Sequence, residues 1–131
     1  MHLFPPKHHG RALGIIDDVL SRDPQNIRCL MGRAYILQFS KKWSEAANLF
    51  KQVADLLPED VDDGLRAKEE HAWCNAQGGD PDGGSKDFKD VLAVMETLDD
   101  REGDQARCWW RLGKCYWDMG GKILNIFILY V

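Results

Sequence analysis

The sequence predicts an all-α solenoid of αα-hairpins, about six helices long, and three observations predict it. Ala12, Ile16, Val19 and Pro24 recur as Ala46, Phe50, Val53 and Pro58, each displaced by 34 residues. A fixed period of that size marks stacked units of supersecondary structure. The first three members of each set are spaced i, i+4, i+7, one face of a helix, and the proline follows a turn later, where a helix should stop. Gly32-x2-Tyr35 returns as Gly113-x2-Tyr116, with a large apolar residue, Met31 or Leu112, before each glycine. Glycine inside a helix costs about 1 kcal/mol relative to alanine, so its recurrence points to close helix crossings at Gly32 and Gly113.

Residues 1–9 read as an irregular lead-in to an array over 10–121. Residues 10–22 are expected to form the second helix of a pair, with Ala12 and Ile16 inward. Residues 26–39 and 43–57 form a complete pair, with Ala46 where its two helices cross. Residues 61–77 and 85–99 form the next. Leu65, Ala72, Trp73 and Ala76 make the apolar stripe of its first helix, and Phe88, Val91, Leu92, Met95 and Leu98 that of its second. Between them GGDPDGG, Gly78 to Gly84, reads as a non-helical, flexible excursion. Residues 104–120 form a first helix, on which Trp109, Leu112 and Tyr116 are expected to face Leu92 and Met95, and Trp110 and Trp117 another direction. The array thus starts on a second helix and stops on a first, with no polar cap at either end, as expected of a segment of a longer array.

The last stretch, ILNIFILYV, breaks this pattern: it is β-branched, aromatic and uncharged. It is too short to cross a bilayer. Gly121-Lys122 can be encoded by GGT-AAG, which contains a splice-donor sequence, and translation into an unspliced intron would give such a tail. Residues 122–131 are therefore expected to be non-native.

Trp109, Leu112, Gly113 and Tyr116 match W-x2-L-G-x2-Y, and Ala46, Phe50 and Pro58 match A-x3-F…P. In these residues the chain resembles the tetratricopeptide repeat. Arg28 departs from it, standing where the tryptophan would fall, and so do two extra residues between Gly32 and Trp43. RCLMGRAYILQ, GLRAKEEHAWC and ARCWWRLGKCYWDMG extend the resemblance to the tetratricopeptide scaffolds of fungal superkiller complexes. That resemblance implies a cytoplasmic protein-interaction scaffold, with the nucleus as a second compartment. It implies an RNA helicase and WD-repeat subunits as partners, and delivery of messenger RNA to the exosome for 3′-to-5′ decay. It also implies a concave groove lined by Arg33, Ile36, Trp110, Lys114 and Trp117, with Asn26 and Cys29 beside the first two. The alternative is a peptide-binding adaptor of co-chaperone type, but the Lys-x3-Asn pattern of such grooves is absent.

Composition narrows the function classes. The net charge of −4, with both signs interspersed, gives no basic stripe for nucleic acid. No run reaches the roughly 20 apolar residues of a membrane span. Cys29, Cys74, Cys108 and Cys115 have no C-x2-C spacing and read as reduced thiols. Cys108 and Cys115 share a helical face, as do His71 and Cys74, yet neither pair brings the closely spaced ligands of a zinc site. No metal or other cofactor is expected. The acid pairs, Glu69-Glu70 among them, lie beside Arg and Lys and read as solvated surface. There is no nucleophile elbow, phosphate loop or catalytic triad spacing, so the chain is not expected to be an enzyme.

Overall fold

The computed structural model describes residues 8–58 and 61–120, and they form six helices in sequence. These are α1 (His9–Arg22), α2 (Ile27–Phe39), α3 (Trp43–Leu56), α4 (Asp62–Gln77), α5 (Pro81–Met95) and α6 (Glu102–Asp118). Among the described residues there is no strand. Each helix packs on the next, and α4 also approaches α6. The apolar tail and the first seven residues lie outside the described residues.

The helical members of the repeat are all buried in its second copy and in part in its first, where Val19 is only half-buried. Ala46, Phe50 and Val53 are each 0% exposed. They join Leu30, Met31 and Ala34 of α2 and Ala67 and Cys74 of α4 in one core. Tyr35 meets Phe50 edge to face, with ring centroids 5.2 Å apart. A second core holds Leu65, Ala72 and Ala76 of α4, Phe88, Val91, Leu92 and Met95 of α5, and Cys108, Leu112 and Cys115 of α6. The third is small, with Ala12 and Ile16 of α1 against Ile36 of α2.

GGDPDGG is a tight turn followed by a helix start, not an excursion. Gly79 takes φ +118°, open to glycine at no steric cost. Asp80 then caps α5 by accepting the Gly83 N–H at 3.0 Å, and Pro81 occupies the first turn, where its missing N–H is harmless. Gly84 lies inside α5 because a Cβ there would stand 2.8 Å from Ala76 Cβ and 2.9 Å from the Ala72 carbonyl oxygen. It precedes Phe88 by four residues and Val91 by seven, as Ala46 precedes Phe50 and Val53. Gly84 is therefore the small crossing residue of this pair, out of phase with the 34-residue period.

The stripe of α6 is turned by about one residue from the expected one. Cys108, Leu112 and Cys115, at i, i+4, i+7, bury onto α5, whereas Trp109 is 57% exposed. The Cys108 thiol lies 3.7 Å from the Phe88 carbonyl oxygen. Leu112 and Tyr116 do pack toward Leu92 and Met95, Tyr116 only partly buried. Gly32 is buried, but among the described residues nothing comes within 4 Å of a Cβ built on Gly113.

Candidate partner-binding face

The groove residues fall into two groups. Arg33 pairs with Asp17 of α1 at 2.6 Å, and Ile36 is only 5% exposed beneath Ala12 and Ile16. Ile36 is thus covered by α1 and offers nothing to a partner. Cys29 packs on the same small core, and the Asn26 side chain caps α2 by accepting the Cys29 N–H at 3.0 Å. On α6, Trp110 and Trp117 are each 64% exposed, and Lys114 pairs with Asp118 at 2.6 Å. Trp109, Gly113 and Trp117 follow one another every fourth residue, so with Trp110 they make one aromatic face around the open glycine.

Trp73 extends this surface onto α4. Its ring centroid lies 6.1 Å from that of Trp110, and the Arg111 guanidinium sits 5.0 Å from the Trp73 ring. Arg111 is held in turn by Glu69 and Glu70, which are 0% and 1% exposed. The reading of Glu69-Glu70 as solvated surface is therefore overturned. The carboxylates are buried because Arg66, Arg107 and Arg111 neutralise them. Glu69 in turn holds the Arg107 guanidinium charged, above its usual range. The other described acid pairs, Asp17-Asp18, Asp62-Asp63 and Asp99-Asp100, are exposed. The signal that could have found the cluster is the four-residue spacing of Arg107 and Arg111, which aims two guanidiniums along one face.

The thiols are packing groups. Burial pushes Cys74 and Cys108 up to about 12 and Cys115 to about 11, from an ordinary 9.0, so they stay protonated at neutral pH. The His71 ring is occupied on both sides: Nδ1–H donates to the Ala47 carbonyl oxygen at 2.8 Å, and Nε2 accepts from the Asn75 amide at 3.0 Å. Among the described residues no three His, Cys, Asp or Glu side chains gather in a way that could hold a metal ion. No described helix is long and apolar enough to cross a membrane.

Six stacked helices with a core on each side of α4 define an all-α helical-hairpin repeat protein. The chain is similar to Superkiller protein 3 of Saccharomyces cerevisiae (strain ATCC 204508 / S288c), with 32% identity over 112 residues. The match covers 85% of this chain and 8% of the length of the yeast protein. No family model matches the chain.

Proposed function

We propose that this chain is a segment of a protein-interaction scaffold that acts in cytoplasmic, exosome-linked 3′-to-5′ decay of messenger RNA. One observation carries the interaction role: α6 presents Trp109, Trp110 and Trp117 at 57–64% exposure on a helical-hairpin repeat. Tryptophan is among the residues most enriched in binding hot spots, and clustered exposed rings mark an interface. The finer role is supported by the similarity to the yeast superkiller protein and by the three stretches that resemble superkiller scaffolds. On this reading the partners are an RNA helicase and WD-repeat subunits. RNA is reached through the helicase and not through this chain, whose net charge is −4. The chain needs no cofactor and performs no catalysis.

The test is capture of purified superkiller RNA helicase and WD-repeat subunits on the immobilised chain. Trp110→Ala with Trp117→Ala should reduce capture at least about tenfold if the rings are hot spots. Equal capture by the wild type and the variant would remove the aromatic face from the proposal. Failure of either subunit to bind would remove the superkiller role.

A further inference from the structure

Two adjacent carboxylates with almost no exposure sit on α4. Breaking such a pair's compensation leaves a buried charge, so the partners matter as much as the acids. Arg107 of α6 forks onto Glu69, Nη2 to Oε1 at 2.7 Å and Nε to Oε2 at 2.8 Å. Arg111, one turn further along α6, donates through Nη1 to Glu69 Oε2 and to Glu70 Oε1, both at 2.7 Å. Glu70 also accepts from Arg66 Nε and from Gln38 Nε2 of α2, each at 3.3 Å. All four carboxylate oxygens are thereby satisfied. Asp104, 3.0 Å from Arg107, balances the third arginine, so three acids meet three bases.

This cluster bonds alternate helices directly, where the apolar packing lies mostly between neighbours. Each core spans three successive helices, packed chiefly between sequence neighbours. The cluster joins α2, α4 and α6, passing over α3 and α5. Apolar contact is non-directional, so the Cys108–Leu112–Cys115 stripe fixes the angle of α6 less sharply than directional bonds do. A forked arginine–carboxylate pair has a fixed plane and spacing, and it holds that angle.

We infer that Glu69, Glu70, Arg107 and Arg111 form an ion clasp that sets the angle between successive hairpins. The clasp also seats the aromatic face: Arg111 lies under Trp73, and Trp73 against Trp110. These four are positioning residues, and the inference holds whichever partner the face serves.

Hydrogen exchange read by mass spectrometry on the full chain tests it, with no partner present. In Glu69→Gln with Glu70→Gln, amide protection in α6 should fall about tenfold or more while α1 and α3 keep theirs. The summed tryptophan emission, to which Trp73 and Trp110 contribute, should shift with it. An equal fall in every helix, or no fall in α6, would overturn the clasp. Arg111→Lys is the gentler variant should the double one not fold. It keeps the charge and loses the planar fork, so α6 should exchange at least about threefold faster. Unchanged exchange in Arg111→Lys also overturns it.

Discussion

Gly84 of α5 faces Ala76 of α4 so closely that a Cβ on the glycine would stand 2.8 Å from the alanine Cβ. Replacing a mid-helix glycine with alanine normally stabilises by about 1 kcal/mol. Here the added methyl meets a side chain with no freedom and the Ala72 carbonyl oxygen, and overpacking of this kind costs about 1–3 kcal/mol. Gly84→Ala should therefore lower the urea midpoint despite its helix propensity. Gly113→Ala, with open space around its Cβ, should raise the midpoint by up to about 1 kcal/mol of stability. A rise for both would show that α4 and α5 can move apart freely.

Ala46 is the corresponding residue of the α2–α3 pair and is 0% exposed. Ala46→Leu should cost about 1–3 kcal/mol, measured by chemical denaturation. An unchanged midpoint would contradict its place in the core.

The α6 side chains should rank by burial, not by size. Leu112→Ala is expected to cost about 2–5 kcal/mol, as a core deletion does. Trp109→Ala, Trp110→Ala and Trp117→Ala should each stay within about 1 kcal/mol of wild type, because surface changes are small. A tryptophan variant as unstable as Leu112→Ala would place that ring in the core. The combined Trp110→Ala, Trp117→Ala chain should also aggregate less, read by light scattering.

Alkali should unfold the protein. Tyr35 is pushed up to about 12, chiefly by burial and then by Glu70, and the three buried thiols reach about 11 to 12. In the unfolded chain these groups lose their protons near 9 for the thiols and 10 for the phenol. Above those values the unfolded state binds fewer protons than the folded one, so stability falls as pH rises. It should be flat between pH 7 and 8.5 and decline from about 9 to 12, by up to about 1.4 kcal/mol per pH unit for each group then titrating. Urea midpoints at pH 8, 9.5 and 11 would show the slope, and Cys74→Ala with Cys108→Ala should flatten it. A midpoint that stays level to pH 11 would contradict the burial of these groups.

The helix order and the burial of Ala46 were legible in the sequence because a 34-residue period repeats both residue size and helical phase. GGDPDGG was misread because its composition resembles a loop, while Asp80-Pro81 is a helix start and Gly84 a crossing residue displaced from the period. Trp109 was misplaced because its i, i+3, i+7 spacing with Leu112 and Tyr116 suggested one stripe, whereas the buried stripe runs one residue earlier, through Cys108, Leu112 and Cys115. On the candidate face, the exposure of Trp110 and Trp117 followed from their spacing relative to Leu112. The covering of Ile36 by α1 did not, and neither did the burial of Glu69 and Glu70. Both depend on residues far along the chain, and the acid pair was judged by its neighbours in sequence when its partners lie about 40 positions away in α6.

Helix α4 lends Ala67 and Cys74 to one core and Leu65, Ala72 and Ala76 to the other. The two cores share a wall, so neither can melt and leave the other intact: once α4 loosens, both lose a side. Heat should take α2 through α5 apart in a single calorimetric transition whose van't Hoff and measured enthalpies agree. Among the described residues the two end helices can fray beforehand: α1, held to α2 through three buried side chains and the Arg33–Asp17 pair, and α6 wherever its ion pairs to α4 are lost.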